Sequence, residues 1–469
     1  MRYLLNAILL LSFFTLSQST VAQSEPKAKY VFLFIGDGMG PAQVYSAEVF
    51  KSALNGNLGR EPLTFSQFPV QSYCTNYSAN SFTTCSSASA TAIATGTKTK
   101  NSYIGVDADL NRLETIAEKA KKAGYKVGLL TTVGINHATP GGFYGHQKNR
   151  NMYYEIAKDL LTTEFDYVAG GGIISPNGKS GDETSIYTLL DESGFKVVNT
   201  AKNIENLKNG DKKIIAINPG HRKDETHWVV DNVKDALPLS EFVKKGIEVL
   251  DNPNGFFMMC EGGKIDYACH NNDLASSIYE TLDFDKAVAV AVDFYNQHPD
   301  ETLIIVTADH ETGGLTLSSS FRYSIKPELL KYQKVSLDSF NVKVADWAEL
   351  PVKPAFSAIL DSIKADFGLG TSDLKLTDDE IAWLEESYSK DFLNNNVVNP
   401  NKHYMDVRAK GLGEKSVYLL DNKAGFHFSS GDHSALPVPI RALGQGADYF
   451  KGGIDNTDIP KIIERLMIK

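Results

Sequence analysis

The fold is decided by the stretch KYVFLFIGDGMG, which runs from Lys29 to Gly40. Its unbroken apolar run, Tyr30 to Ile35, predicts a strand buried on both faces, as in a parallel sheet. Asp37 follows among glycines, which let backbone and ligands approach closely. The glycine spacing is not that of a GxGxxG dinucleotide loop, and Pro41 comes next. The stretch therefore predicts a central strand that ends in a carboxylate.

Similar apolar runs recur along the chain, with helical patterns between them. The runs lie at 125–132, 213–217, 255–260 and 302–307, and the helical patterns at 113–123 and 274–297. This alternation predicts an α/β fold with a mostly parallel central sheet flanked by helices. In such sheets ligands bind at the carboxyl ends of the strands, so polar residues after each run are candidate site residues.

Two stretches fit the alternation poorly. Residues from about 318 to 425 are rich in Lys, Asp, Asn and Ser, and we interpret them as an inserted cap region. Residues 165–235 contain three consecutive glycines and many polar residues, which indicates loops and short strands. We expect one large domain over 23–469 that carries the insertion.

The N-terminal segment 1–22 has the features of a signal peptide. Arg2 precedes an apolar run from Leu4 to Leu16, and small residues lead to a cleavage site after Ala22. The alternative is a membrane anchor, but the run is shorter than the roughly 20 residues that a spanning helix needs. We expect an exported protein, periplasmic or secreted, with no membrane span after cleavage.

Composition and cysteine usage narrow the function further. The chain has 469 residues, of which 42% are hydrophobic, and a net charge of −10, which disfavours coating of nucleic acid. No CxxC pair exists, so the four cysteines form no zinc pattern. A Cys74–Cys85 disulfide is possible in an exported protein, and Cys260 is expected to be a buried thiol.

Ionisable residues follow several of the predicted strands. Asp309 and His310 come after the run 302–307 and suit Zn²⁺. Glu261 ends another run and suits an oxygen-seeking cation such as Mg²⁺. Asp266 and His270 are four residues apart, so a helix would present both to one metal ion.

Three further segments complete the candidate site. His137, Thr139 and Arg150 follow the run 125–132, where Thr139 offers a hydroxyl ligand and Arg150, expected to begin a helix, could clamp an oxyanion. Ser86 lies near the N-terminus of an Ala-rich helical segment, where backbone N–H groups favour negative charge. His433 stands late in the chain within SGDHS.

Together these motifs resemble the alkaline phosphatase family. The matching segments are FIGDGMG at 34–40, SSASATA at 86–92, HATP at 137–140 with Arg150, Glu261 with Asp266 and His270, DHETGG at 309–314, and the late His433. They occur in the family's order between residues 31 and 445. Each is modest alone, but the ordered set is specific.

The resemblance implies a phosphate monoester hydrolase with two zinc ions and one magnesium ion. One zinc ion would be held by Asp266, His270 and His433, and the second by Asp37, Asp309 and His310. The magnesium ion would be held by Asp37, Thr139 and Glu261. Ser86 would be the nucleophile of a phosphoserine intermediate, and Arg150 would bind phosphate. The substrates would be small phosphate monoesters, and the chain would form a homodimer, as family members commonly do.

Three residues depart from the family's pattern. Cys85 stands where an Asp usually braces the phosphate-binding Arg. Tyr267 stands where relatives carry Lys, His or Trp, and it brings no positive charge at neutral pH. His137 replaces the carboxylate that some relatives place near Mg²⁺, which bears on metal preference.

Other functions were weighed against this one. A sulfatase needs x-Pro-x-Arg after its nucleophile, but Cys85 is followed by SSAS at 86–89, which excludes that class. A cysteine phosphatase needs Arg six residues after the Cys, and position 91 is Thr, which excludes Cys85 as that nucleophile. Two alternatives stay open at this level. One is a phosphodiesterase of the same superfamily, and the other is an exported phosphate- or metal-binding protein without catalysis.

Overall fold

A computed structural model describes residues 27–220, 224–318, 324–396 and 411–469. The signal peptide predicted at 1–22 lies outside these ranges. Within them, no helix combines the length and apolar character needed to cross a membrane.

The strands are β1 (Tyr30–Gly36), β2 (Val70–Thr75), β3 (Lys126–Thr131), β4 (Tyr167–Gly170), β5 (Lys196–Val198), β6 (Ile214–Ile217), β7 (Phe256–Gly262), β8 (Thr302–Thr307), β9 (Glu311–Thr312), β10 (Leu315–Leu317), β11 (Phe426–Phe428), β12 (His433–Ser434), β13 (Val438–Gly444) and β14 (Ile454–Asp455). The α-helices are α1 (Pro41–Leu54), α2 (Ser86–Thr95), α3 (Ile116–Lys122), α4 (Ala138–Gly141), α5 (Tyr153–Leu160), α6 (Ile186–Glu192), α7 (Ala201–Glu205), α8 (Leu239–Leu250), α9 (Lys264–His270), α10 (Leu274–Gln297), α11 (Leu337–Ala348), α12 (Phe356–Phe367), α13 (Asp378–Ser387), α14 (Leu412–Ala424) and α15 (Asp458–Met467).

Ten strands form one sheet in the order β14-β2-β13-β8-β1-β7-β3-β4-β6-β5. Every neighbouring pair from β8 to β5 is parallel, while β13 runs antiparallel to both β8 and β2. β1 lies between β7 and β8, and all of its residues are buried. The predicted α/β architecture with a mostly parallel sheet is therefore confirmed.

The local predictions agree with most elements and fail at some. The helix α10 has the predicted bounds, but α3 begins at Ile116 and not at Leu113. The Thr115 hydroxyl accepts from the Glu118 N–H, and the Glu118 carboxylate accepts from the Thr115 N–H. This capping box starts the helix at that point.

The stretch 165–235 is more regular than the predicted loops and short strands, because it contains α6 and α7 as well as three strands of the main sheet. β4 has only four residues, too few to give a clear apolar run, but all are buried between β3 and β6. Pairing with these two strands, more than its own sequence, stabilises it as a strand. The described part of 318–425 consists of helices and the loops between them. The Asp273 carboxylate, at the start of α10, joins it to that helix by accepting from the Leu337 N–H at 2.8 Å and from Gln333 Nε2 at 2.7 Å.

Candidate metal centre

Three adjacent strands deliver carboxylates to one edge of the sheet. In the register of β1, Ile35 lies opposite Glu261 of β7 and Thr307 of β8. Asp37 lies two residues after Ile35, and Asp309 lies two residues after Thr307, so both follow the ends of neighbouring strands at the same edge of the sheet. Asp37, Glu261 and Asp309 are all buried. Parallel pairing thus gathers acidic groups that are far apart in sequence.

Asp37, Asp309 and His310 form the first cluster with metal-ligand geometry. Their ligand atoms all lie within 4.8 Å of one another. His310 Nε2 lies 3.4 Å from Asp37 Oδ1 and 3.2 Å from Asp309 Oδ2. One imidazole nitrogen and two carboxylates form a donor set that Zn²⁺ accepts.

Asp266, His310 and His433 form a second cluster, with ligand atoms within 4.8 Å of one another. His270 belongs beside it, because His270 Nε2 lies 3.2 Å from Asp266 Oδ2 and 3.1 Å from His433 Nε2. Asp266 and His270 share α9 at helical spacing, and His433 arrives because β12 pairs with β9, setting it opposite Thr312.

The three histidines turn the same nitrogen toward the centre. His270 Nδ1 and His433 Nδ1 donate to the carbonyl oxygens of Gly431 and Thr84, at 2.5 Å and 2.8 Å. The Thr312 hydroxyl donates to Asp266 Oδ1 at 2.5 Å, so its oxygen accepts from His310 Nδ1 at 3.2 Å. With Nδ1 as the outward donor in each ring, all three Nε2 atoms face the centre, where each would offer its lone pair to a metal ion once the imidazole is neutral.

Asp37, His137 and Glu261 form a third cluster within 4.8 Å. The Thr139 hydroxyl donates to Asp37 Oδ2 at 3.3 Å, which brings Thr139 to the same group. Thr131, at the end of β3, donates to Glu261 Oε2. Asp37 therefore belongs to two clusters.

The carboxylates fit bound cations because some of their oxygens lack other partners. Asp37 Oδ1, Glu261 Oε1 and Asp309 Oδ2 are buried and accept no hydrogen bond from any residue in the described ranges. Buried carboxylate oxygens of this kind are costly unless a proton or a metal ion compensates them. Three such atoms in adjoining clusters fit more than one divalent cation.

The electrostatics of the metal-free site agree with this. Burial raises the pKa of Glu261 to about 8 and that of Asp309 to about 7, and burial with the neighbouring carboxylates raises the pKa of Asp37 well above its usual range. Burial also opposes ionisation of Asp266, but His270 and the other histidines hold its pKa well below the ordinary value. Burial lowers the pKa of His310 and of His433, which keeps both imidazoles neutral.

Ser86 and Arg150 lie next to these clusters. Ser86 is the first residue of α2, and its Oγ is 3.2 Å from His310 Nε2. Arg150 Nη1 is 3.4 Å from Ser86 Oγ, and Arg150 Nη2 is 3.1 Å from His137 Nε2. The prediction that Arg150 begins a helix is wrong, because α5 starts at Tyr153 and the Arg150 N–H donates to the Ser102 carbonyl at 2.7 Å.

Cys85 precedes Ser86 in the chain, and Tyr267 packs against His137. Cys85 precedes α2, and its Sγ accepts from the Ser102 N–H at 3.1 Å. Burial raises its pKa, but Arg150 and hydrogen bonds outweigh burial and leave it below the ordinary value. Tyr267 is buried with its ring edge-on to that of His137, 5.7 Å between centroids. All four cysteines are free thiols, so the possible Cys74–Cys85 disulfide is absent, and Cys260 is buried as expected.

Sequence reasoning passed over several residues that support the ligands. Thr312 and Thr131 each donate to a site carboxylate, and Gln43 Nε2 donates to Glu311 Oε1 at 2.9 Å beneath β9. Thr312 lies inside the motif at 309–314 and Thr131 ends a predicted strand, so both positions could have been identified from the sequence as candidates. No sequence pattern singles out Gln43 in α1.

Comparison with known proteins identifies the family of the chain. The family model for alkaline phosphatase matches residues 28–468. The chain is 30% identical to alkaline phosphatase 3 of Bacillus subtilis over 93% of this chain and 88% of that protein. The crystal structure of a cold-active alkaline phosphatase from a psychrophilic Shewanella superposes with a TM-score of 0.79, at 27% identity, covering 94% of this chain and all of the other.

A third match is a single-residue variant of the TAB5 alkaline phosphatase solved with Mg bound. It has a TM-score of 0.65 and 26% identity, and covers 94% of this chain and 98% of that chain. The similarity extends over nearly the whole described chain. The chain belongs to the alkaline phosphatase family.

Proposed function

We propose that the chain hydrolyses phosphate monoesters through a phosphoserine formed on Ser86. The observation that carries this is the position of one hydroxyl, Ser86 Oγ, within 3.4 Å of both the Arg150 guanidinium and His310 Nε2. A nucleophile, an oxyanion-binding cation and a metal-ligand cluster therefore meet at one point. Phosphoryl transfer needs little more than positioning and fixed positive charge.

The donor sets support two zinc ions and one magnesium ion. Asp266, His270 and His433 would hold one zinc ion. Zinc suits this set because two of its three ligands are imidazole nitrogens. Asp37, Asp309 and His310 would hold the other. Bound there, such cations act as Lewis acids that stabilise negative charge on the attacking, leaving and phosphoryl oxygens.

Asp37, Glu261 and Thr139 would hold the magnesium ion through oxygen atoms. The TAB5 variant was solved with Mg bound, which supports a magnesium site in a protein of this fold. His137 adds an imidazole to this group and favours a borderline transition metal over magnesium. Magnesium remains our proposal for the wild type, with His137 bonded to Arg150 and not to the ion.

The protein's own residues then perform four tasks. Ser86 loses its hydroxyl proton to solvent and attacks phosphorus as an alkoxide, which backbone N–H groups and the helix dipole favour at the first turn of α2. The bond from phosphorus to the ester oxygen breaks, and the alcohol leaves after taking a proton from water. The Arg150 guanidinium binds two phosphoryl oxygens with parallel hydrogen bonds. The buried carboxylates keep the cations in place, and the Nδ1 contacts of the histidines orient their rings. Water then releases phosphate from Ser86 by in-line attack.

Turnover of p-nitrophenyl phosphate in alkaline buffer with zinc and magnesium tests this activity. Hydrolysis of bis-p-nitrophenyl phosphate far faster than of the monoester would favour the diesterase alternative. Retained metal with no turnover of either would favour a binding protein. Elemental analysis of the purified chain checks the ions, and finding no divalent metal would contradict the proposal.

We further propose that the chain is exported after cleavage behind Ala22 and functions as a homodimer. The apolar N-terminal run supports export. One domain over 23–469 with an insertion at about 318–425 is compatible with the ten-stranded sheet and with helices α11 to α14, which lie in the chain between its strands β8 and β13. Mass spectrometry of the exported chain and sedimentation analysis test these points.

A further inference from the structure

A buried lysine stands at the start of the helix that carries Asp266 and His270. Lys264 is the first residue of α9 and is 1% exposed. Its Nζ donates to the Thr226 carbonyl at 2.7 Å, lies 3.7 Å from Glu225 Oε2, and sits 3.9 Å from the centroid of the Trp228 ring. A buried ammonium is costly unless it is paired. All three compensating contacts come from one short segment, residues 225–228.

The same segment is tied to α10 by a carboxylate. The Val229 N–H donates to Glu280 Oε1 at 2.9 Å, and Glu280 is itself buried. Burial raises the pKa of Glu280 to about 8, while the charge of Lys264 acts against that shift. The segment 225–229 is thus bound to α9 through Lys264 and to α10 through Glu280.

Trp228 lies between Lys264 and residues nearer the site. It belongs to a small apolar cluster, separate from the main core, with Val133, Val230, Tyr267 and Ala268. A cation over the face of a tryptophan adds attraction to the packing and fixes the ring plane. The ring that Lys264 holds therefore packs in the same apolar cluster as Tyr267.

From Tyr267 the contacts continue to the phosphate-binding side. The Tyr267 and His137 rings meet edge-on, with centroids 5.7 Å apart and planes at 90°. His137 Nε2 then lies 3.1 Å from Arg150 Nη2. The buried ammonium is thus linked to the guanidinium through Trp228, the apolar cluster that contains Tyr267, and His137.

We propose that Lys264 is a positioning residue for phosphate recognition. By holding Trp228 against Tyr267, it sets the His137 ring and hence the plane of the Arg150 guanidinium. This rests on the proposed function, in which Arg150 binds the phosphoryl group. Lys264 touches neither substrate nor metal in this scheme.

The chain contains a matched control with the same local chemistry. Lys415 is also buried, and its Nζ lies 4.7 Å from the Trp383 ring centroid. That Nζ donates to the Trp383 carbonyl at 2.6 Å and lies 3.7 Å from Glu386. These contacts join α13 to α14 and not to the metal centre. Loss of Lys415 therefore reports the general effect of removing a buried, ring-stacked lysine.

The test compares Lys264→Met, Lys264→Arg and Lys415→Met as metal-loaded proteins. Inorganic phosphate serves as inhibitor and p-nitrophenyl phosphate as substrate. Lys264→Met should raise both the phosphate inhibition constant and KM about tenfold, because small displacements of a positioning group are costly. Metal content should stay unchanged. Lys264→Arg should restore most of the affinity, and Lys415→Met should leave it unchanged even if the melting temperature falls.

Two outcomes would overturn the proposal. One is a Lys264→Met protein whose phosphate inhibition matches that of Lys415→Met, and the other is loss of bound metal, which would place the effect on α9. If Lys264→Met does not fold, Trp228→Leu decides, since it should weaken phosphate inhibition by the same route and unchanged inhibition would refute it. Failure of the proposed function would instead appear in the wild type, as no turnover and no inhibition by phosphate.

Discussion

Ser86 Oγ lies 3.2 Å from His310 Nε2, the nitrogen that His310 turns toward Asp37 and Asp309. Because this nitrogen would bind the metal ion, a cation held by His310 would also lie next to the Ser86 hydroxyl. Ser86 is also buried at the start of a helix, so its orientation is restricted. The relationship links the metal-ligand clusters to the proposed nucleophile.

The first prediction concerns that hydroxyl. Ser86→Ala should reduce turnover of p-nitrophenyl phosphate by about 10³-fold or more, as loss of a nucleophile does in other enzymes. Acid quenching with ³²P-labelled substrate should trap labelled protein from the wild type and none from the variant, while metal content stays the same. Ser87→Ala is the control, since the neighbouring serine contacts Cys85 and not His310. A labelled Ser86→Ala protein would exclude Ser86.

The second prediction is proton release when metal ions bind. In the metal-free protein, burial raises the pKa of Glu261 to about 8 and of Asp309 to about 7, so near neutral pH Glu261 is mostly protonated and Asp309 is protonated in part. Cations require the ionised carboxylates, so binding must expel these protons, and release should fall as pH rises past the raised pKa values. Calorimetric titration with Zn²⁺ and Mg²⁺ in buffers of different ionisation enthalpy measures it.

Glu261→Gln is the matched variant for this measurement. It keeps the side-chain shape and cannot ionise, so it should release roughly one proton fewer near pH 7. Equal proton release from wild type and variant would show that Glu261 is already ionised before metal binds.

Much of this centre could be predicted because it depends on local patterns. Asp37, Glu261 and Asp309 follow apolar runs, and parallel strands bring such positions to one edge whatever their distance in sequence. Asp266 and His270 need only four-residue spacing on a helix. These relationships are encoded in segments that can be recognised one at a time.

The remainder depends on pairings between distant segments. His433 reaches the centre because β12 pairs with β9, and Arg150 is placed by the Ser102 carbonyl and not by a helix of its own. No periodicity signals either contact. The main sheet shows the same limit, because the antiparallel β13 and the short β4 owe their places to neighbouring strands.

The third prediction concerns the cluster of Asp37, His137 and Glu261. His137→Asp replaces an imidazole with a carboxylate, and oxygen donors favour magnesium. The variant should retain more Mg²⁺ after equilibration and gel filtration than the wild type, as measured by elemental analysis. His137→Ala removes the imidazole without adding oxygen and should show no such gain. Equal magnesium in all three proteins would contradict a role for residue 137 in metal choice.

The fourth prediction uses the four free thiols. Cys74, Cys260 and Cys269 are buried, and burial raises their pKa values, whereas Arg150 and hydrogen bonds leave the pKa of Cys85 below its ordinary value although burial opposes this. Thiolate is the reactive form, so iodoacetamide should modify Cys85 at least about tenfold faster than the others. Peptide mass spectrometry identifies the modified site.

Modification at Cys85 should also reduce turnover, because the added group lies beside Ser86 and near Arg150. Cys85→Ser should remove the fast phase of alkylation and protect activity from the reagent, since the smaller hydroxyl keeps a hydrogen-bond acceptor for the Ser102 N–H. Inorganic phosphate should slow alkylation of the wild type, because a bound anion neutralises the guanidinium that stabilises the thiolate. Alkylation of Cys85 that leaves turnover intact would mean that the thiol faces away from the phosphate, and that Arg150 orients its guanidinium without help from residue 85.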